Sequence, residues 1–118
     1  MILKDAIERA IRRGVVVVCS AGNSSQNLDL NPYYPASFNI RNFITVASSD
    51  NRDQLTAWSN WGRRGVLIAA PGVNVLTTQM GGGYWNVTGT SASAPLVTGV
   101  VGLLRSFRPW LTTSQVAT

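Results

Sequence analysis

The sequence predicts an α/β fold with a mostly parallel sheet flanked by helices. Three observations lead to this prediction. Apolar residues at positions 3–11 recur at the spacing of one helical face, and Gly14 follows as a terminator. Residues 15–18 are an apolar run without alternation, which is typical of a strand buried on both faces of a parallel sheet. Residues 92–107 have an almost wholly apolar helical pattern, which predicts a second helix buried on most sides.

Shorter segments between these helices predict the remaining strands. Two short β-branched runs, at residues 43–47 and 66–70, are typical of further strands of the sheet. Residues 75–78 and 84–88 flank a run of three glycines, which predicts a hairpin with a flexible tip. The mixed segment 55–61 predicts a short edge strand or a turn.

The loops and the last helix are marked by proline and threonine. Residues 24–42 have no sustained period and predict a long loop that starts after the first strand. A long loop at the carboxyl end of a strand often binds a ligand. Pro109 ends the apolar helix, and Thr112 or Thr113 would cap a last short helix.

Composition excludes several classes of function. The 118 residues make one domain at most, with a net charge of +5. The ten Lys and Arg residues are scattered or lie on the polar side of the first helix, so we expect no nucleic-acid partner. No apolar run reaches the roughly 20 residues of a membrane span. Cys19, the single cysteine, lies in an apolar run and is expected to be a small buried hydrophobe.

The chain contains no histidine. An imidazole is the base of Ser-His-Asp triads and Cys-His dyads and is the commonest metal ligand. This polypeptide therefore cannot by itself complete such a site.

Ser91 stands at the start of the apolar helix. The unpaired N–H groups and the positive end of the helix dipole favour developing negative charge there. A nucleophilic serine suits this position, because attack on a carbonyl creates an oxyanion beside it. A serine there can equally be a plain N-cap, and caps are far commoner than nucleophiles. Helix physics alone therefore favours the N-cap.

The segment around Ser91 resembles a known family signature. It reads Gly89-Thr90-Ser91-Ala92-Ser93-Ala94-Pro95-Leu96-Val97-Thr98-Gly99 and closely resembles the active-serine signature of the subtilisin-like serine proteases, the subtilases. Ser93 stands where the family usually has Ala, and Leu96 where it usually has a His that is not the catalytic one. Other blocks follow in the family's order: Ser20-Ala21-Gly22-Asn23, Tyr34-Pro35-Ala36-Ser37, Ile44-Thr45-Val46-Ala47, Trp58-Ser59-Asn60-Trp61-Gly62 and Ala69-Ala70-Pro71-Gly72-Val73.

The resemblance implies roles for particular residues. Ser91 would be the nucleophile, and Asn23 would donate from its side chain to the oxyanion, with the Ser91 N–H as second donor. A pocket for the substrate residue before the scissile bond would be lined from residue 20 to residue 22, with the loop at Tyr33 at its far end. The residues expected to contact substrate are Ser20, Ala21, Gly22, Tyr33 and Thr90.

The chain lacks two catalytic motifs of the subtilases. Subtilases carry their catalytic Asp and His before the Asn and the Ser, and neither motif occurs here. We therefore expect residues 1–118 to be the C-terminal portion of a subtilase catalytic domain, with an incomplete sheet. A complete domain would be a serine endopeptidase acting on polypeptides, whereas this chain alone would be inactive. The alternatives are a non-catalytic remnant that binds peptides, or an unrelated α/β binding domain in which Ser91 is only a cap.

The resemblance also bears on cofactors and location. The chemistry needs no cofactor, and no metal ligand is assigned to the site. The family often binds structural calcium, to which Asp50, Asn51 and Asp53 could contribute, although a polar turn is the favoured interpretation of these residues. Extracellular or secretory placement is what the resemblance suggests.

Overall fold

Three strands form a parallel sheet within residues 2–118, the part of the chain that this computed structural model describes. The strands are β1 (Val18–Ser20), β2 (Ile44–Ser49) and β3 (Ile68–Pro71), in the order β1-β2-β3. Every residue of β2 is buried, because β2 has a hydrogen-bonded neighbour on each side. The predicted parallel sheet with flanking helices is confirmed.

The first strand begins later than the sequence pattern predicts. Residues 15–17 lie outside β1, and Val15 is exposed. The physical reason is register: Val18 pairs with Ile44, the first residue of β2, so the residues before Val18 have no partner strand. Only the Val17 carbonyl extends the ladder, accepting from the Ile44 N–H at 3.1 Å. The predicted strand at 15–18 is therefore wrong by about three residues at its start.

Two helices lie against the sheet. Helix α1 (Ile2–Arg12) ends before Gly14, whose φ of 88° reverses the chain as predicted. Helix α2 (Thr90–Phe107) packs on the sheet through Ala94, Val97 and Val101. No helix within residues 2–118 is both long and apolar enough to cross a membrane.

The expectation that α2 is buried on most sides is wrong for the described chain. Val100 is 63% exposed, Leu103 75% and Phe107 78%. The sheet covers only the stripe that carries Ala94 and Val97, and no other described element packs over the opposite face. An apolar pattern records what a helix can bury but not which element covers it.

The remaining elements agree with the sequence patterns. Strands β4 (Val75–Thr78) and β5 (Tyr84–Val87) form the predicted antiparallel hairpin. Helix α3 (Thr113–Ala117) is capped by Thr112, which forms a capping box with Gln115. The segment 55–61 forms turns with isolated bridges at Leu55 and Trp61 instead of an edge strand.

Gly72 lies where the sheet meets the start of α2. Its N–H donates to the Ser49 carbonyl at 3.1 Å, and its own carbonyl accepts from the Gly89 N–H at 2.8 Å. A Cβ at this position would overlap Ser48 Oγ and Ser93 Oγ and would lie 2.8 Å from the Gly89 carbonyl oxygen. The close approach of β2, β3 and the segment before α2 therefore requires glycine.

We expect Gly72→Ala to lower the free energy of unfolding by about 1–3 kcal/mol, because the added methyl group overpacks a closed contact. The measurement is urea denaturation of the chain at low protein concentration, at which the soluble chain is kept from aggregating. Gly99→Ala is the matched control: no atom lies within 4 Å of a Cβ there, and Gly99 lies inside α2. The control should raise stability by up to about 1 kcal/mol through helix propensity. If Gly72→Ala were as stable as Gly99→Ala, or more stable, the close packing around Gly72 would be contradicted.

Candidate active site

Helix α2 starts with an uncapped N-terminus. Its N-cap residue is Gly89, with φ 153°, and no side chain caps the helix. Ser91 follows as the second helical residue and is exposed. The interpretation of Ser91 as a mere N-cap is therefore wrong, since that position belongs to a glycine. The first N–H groups of a helix have no intrahelical acceptor, so the Ser91 N–H is a donor without an acceptor in its own helix.

Thr90 joins this helix start to the loop that follows β1. The Thr90 N–H donates to Asn23 Oδ1 at 2.9 Å, and the Thr90 hydroxyl donates to the same oxygen at 2.8 Å. The Thr90 hydroxyl also accepts from the Gly22 N–H at 3.1 Å. Thr90 is only 1% exposed, so these bonds are shielded from water. They fix which end of the Asn23 carboxamide faces the helix.

The hydroxyl of Ser91 and the side-chain amide of Asn23, the two groups predicted to act on the substrate, meet beside Gly89. A Cβ on Gly89 would lie 3.2 Å from Ser91 Oγ and 3.6 Å from Asn23 Nδ2. Because Asn23 Oδ1 is held by Thr90, the N–H donors of the carboxamide are left for another acceptor. The hydroxyl of Ser91 and the amide of Asn23 thus border one small space that the missing side chain of Gly89 keeps open.

Gly22 contacts both Thr90 and Tyr33. A Cβ on Gly22, where φ is 102°, would lie 3.1 Å from both Cδ1 and Cε1 of Tyr33. The Tyr33 ring is half exposed and is held through its backbone, which exchanges hydrogen bonds with Ser37. Ala21, by contrast, is fully buried against Leu28 and Ala36.

An open groove runs beside Ser91 between β1 and α2. Its lining residues are Val18, Cys19, Ser20, Ser91, Ala94, Pro95 and Thr98. Ser20 therefore reaches the same groove as Ser91. Burial raises the pKa of the Cys19 thiol, which keeps it protonated near neutral pH and makes it a poor nucleophile.

Asn60 is a buried polar residue of this region that the sequence patterns did not assign to the site. Its side chain bonds the loop that carries Asn23, donating to the Ala21 carbonyl and accepting from the Ser24 and Gln26 N–H groups. The only sequence signal was its place in the family block Trp58-Ser59-Asn60-Trp61-Gly62. That block gave no indication of which side chain turns inward.

Asp50, one of the residues named for calcium, bonds its own turn. Asp50 Oδ1 accepts from the N–H groups of Arg52 and Gln54 at 2.8 and 3.0 Å, and its other oxygen lies 3.6 Å from the Arg52 guanidinium. The Gln54 and Arg52 amides hold the pKa of the Asp50 carboxyl below its usual value. Within residues 2–118 no group of three His, Cys, Asp or Glu side chains could hold a metal ion. The segment is a polar turn built around its own aspartate.

The chain is similar to known proteins over most of its length. The model of the Subtilase family matches residues 2–118. The chain is 36% identical over 115 residues to subtilisin DY of Bacillus licheniformis, covering 97% of this chain and 41% of that protein. It is also 36% identical over 107 residues to the major intracellular serine protease of Bacillus subtilis (strain 168), covering 89% of this chain and 33% of that protein.

A solved structure gives the same result. A cold-adapted subtilisin-like serine proteinase matches with a TM-score of 0.87 and 33% identity, over 98% of this chain and 40% of that one. The chain thus spans between 33% and 41% of the length of these three proteins. The interpretation as an unrelated α/β binding domain is wrong. The chain belongs to the subtilase family of subtilisin-like serine proteases.

Proposed function

We propose that residues 1–118 are the C-terminal portion of a subtilase catalytic domain and serve the hydrolysis of peptide bonds through Ser91. The observation that carries the proposal is the meeting of Ser91 Oγ and Asn23 Nδ2 at the space beside Gly89. An exposed hydroxyl, a side-chain donor and a helix-terminal N–H converge there. Acyl transfer needs this set of groups on one side of a carbonyl.

The proposed reaction proceeds through an acyl-enzyme. Ser91 Oγ attacks the carbonyl carbon of the scissile bond while a base accepts the hydroxyl proton. The negative charge that develops on the carbonyl oxygen is stabilised by hydrogen bonds from Asn23 Nδ2 and from the Ser91 N–H. The carbon–nitrogen bond then breaks, the amine leaves with the proton, and water hydrolyses the Ser91 ester.

The base is not among the 118 residues, because none of them is a histidine. The groove between β1 and α2 lies directly beside Ser91, and β1 has only one strand neighbour in the described chain. We propose that the catalytic His and Asp enter from polypeptide outside this chain at this open side. Without them no base accepts the Ser91 proton, and the hydroxyl is a weak nucleophile.

The substrate is proposed to be an extended polypeptide. Ser20, which lines the groove, would contact the residue before the scissile bond, and the Tyr33 ring would close the pocket that receives its side chain. Ala21 and Gly22 are buried, and their backbone N–H and carbonyl groups are bonded within the chain, so the structure does not support the predicted substrate contacts of these two residues. The contact of Tyr33 with Gly22 supports a pocket narrowed by an aromatic wall. The extracellular or secretory location of the protein stays a prediction, because one similar protease is named as intracellular.

A second candidate is a peptide-binding module without catalysis. It is supported by the open groove beside Ser91, which would receive a peptide without catalysis. The two candidates differ in whether Ser91 can be activated once an Asp and a His are supplied.

We expect the isolated chain to hydrolyse no peptide and to resist labelling of Ser91 by a fluorophosphonate. It should also be prone to aggregation, because the apolar face of α2 and the free edge of β1 face solvent. The matched experiment is a chimera in which this chain replaces the matching part of the cold-adapted proteinase, which then supplies the Asp and the His. Labelling of the chimera at Ser91 supports the enzyme, whereas an intact but unlabelled chimera supports the binding module.

Within this chimera, Asn23→Ala is expected to lower kcat by about 100- to 1,000-fold and to leave KM nearly unchanged, because the donor acts on the oxyanion and not on bound substrate. The size of the effect is the one established for this family's donor asparagine. Steady-state kinetics with a peptide anilide measure it. Unchanged kcat in Asn23→Ala would refute the assignment.

Tyr33→Ala should widen the proposed pocket. We expect kcat/KM for substrates with a large aromatic residue before the scissile bond to rise at least about tenfold relative to substrates with alanine there, which is the scale of discrimination in apolar pockets. Tyr84→Ala is a suitable control, because Tyr84 is an exposed tyrosine of the hairpin. If Tyr33→Ala and Tyr84→Ala showed the same preference for aromatic over alanine substrates, Tyr33 would be excluded from the pocket.

A further inference from the structure

Asn60 is bonded almost entirely to the loop that carries Asn23. Its backbone N–H donates to the Gly22 carbonyl at 2.8 Å, and its Nδ2 donates to the Ala21 carbonyl at 2.9 Å. Its Oδ1 accepts from the N–H of Ser24 at 2.9 Å and from the N–H of Gln26 at 3.0 Å. These four bonds reach the backbone on both sides of Asn23 and across a separation of 34 to 39 residues.

The burial of Asn60 makes these bonds matter. The residue is 1% exposed, so a lost partner would leave amide groups of the loop without an acceptor and without ready access to water. Its Nδ2 also packs directly on Gly22, where a Cβ would overlap it. Asn60 therefore holds the backbone of the loop, while Thr90, at the start of α2, holds the Asn23 side chain.

We propose that Asn60 is a positioning residue for oxyanion stabilisation: it acts through Asn23, by fixing the backbone on either side of it. The inference rests on the proposed function, because it assigns Asn60 a part in the same step. Asn60 neither donates to the oxyanion nor contacts the Ser91 hydroxyl. It sets where the Asn23 amide stands relative to the Ser91 N–H.

Ser59 provides a matched comparison. It is adjacent in sequence and equally buried, and its hydroxyl also makes two hydrogen bonds. Those bonds go to the Ser48 N–H in β2 and to the Asn60 carbonyl, and neither reaches the residues 21–26 that flank Asn23. A variant of Ser59 therefore removes buried polar support near Asn60 and leaves the loop's own bonds in place.

The test is a double-mutant cycle in the chimera that contains the whole chain. Asn60→Ala should lower kcat by about 10- to 100-fold with KM changed by less than about twofold, the scale expected when buried amides lose their partner. In the Asn23→Ala background the same substitution should lower kcat by less than about twofold, since its route of action has already been removed. Ser59→Ala should change kcat by the same factor in both backgrounds.

Asn60→Ser puts an uncharged hydroxyl in place of the amide and keeps the backbone bond to Gly22. It should retain more kcat than Asn60→Ala, and it replaces Asn60→Ala in the cycle if that variant does not fold. An equal loss of kcat from the Asn60 variants with and without Asn23 would overturn this inference alone, because it would mean general destabilisation. If Asn23→Ala itself leaves kcat unchanged, the proposed function fails as well, so the two failures are distinguishable.

Discussion

The carboxamide oxygen of Asn23 accepts two hydrogen bonds from Thr90, one from the backbone and one from the hydroxyl. These bonds tie the first residue of α2 to the loop after β1, across 67 residues of sequence. The helix and the strand are each fixed by packing on the sheet. The relation between Ser91 and Asn23, however, depends on this short polar contact. The arrangement at Gly89 and the orientation of the Asn23 amide both follow from it.

The contact requires backbones to come closer than side chains allow. Gly72 lets β3 and the segment before α2 meet the buried hydroxyls of Ser48 and Ser93. Gly89 leaves open the space that Ser91 Oγ and Asn23 Nδ2 border. The chain thus has glycine where a Cβ would either separate the sheet from the helix or fill the space proposed for the oxyanion.

Much of this could be predicted from the sequence, and the reasons for the failures are physical. The helices, the hairpin and the parallel sheet follow from periodicity, which reports local burial. The start of β1 does not, because it is set by where β2 begins, 26 residues later along the chain. The exposed face of α2 could not be predicted either, since an apolar residue such as Phe107 looks the same in sequence whether or not another segment covers it.

The candidate site shows the same division between local and distant information. The resemblance to the family predicts Ser91 and Asn23 as site residues, whereas the physics of helix ends alone favours a cap at Ser91. The structure assigns the cap to Gly89. Asn60 remained hidden because its partners lie 34 to 39 residues away and no local pattern marks an asparagine that turns inward. Residues that support a site from a distant segment are the ones that sequence patterns miss.

The central claim is that Asn23 Nδ2 and the Ser91 N–H together receive the oxyanion. A crystal structure of the chimera with a phosphonate bound covalently to Ser91 tests it most directly. The claim predicts that one phosphonyl oxygen lies about 2.7–3.1 Å from both donors, as in a formed oxyanion hole, with Asn23 Oδ1 still held by Thr90. A phosphonyl oxygen that points away from Asn23, or an Asn23 side chain that has left Thr90, would contradict it.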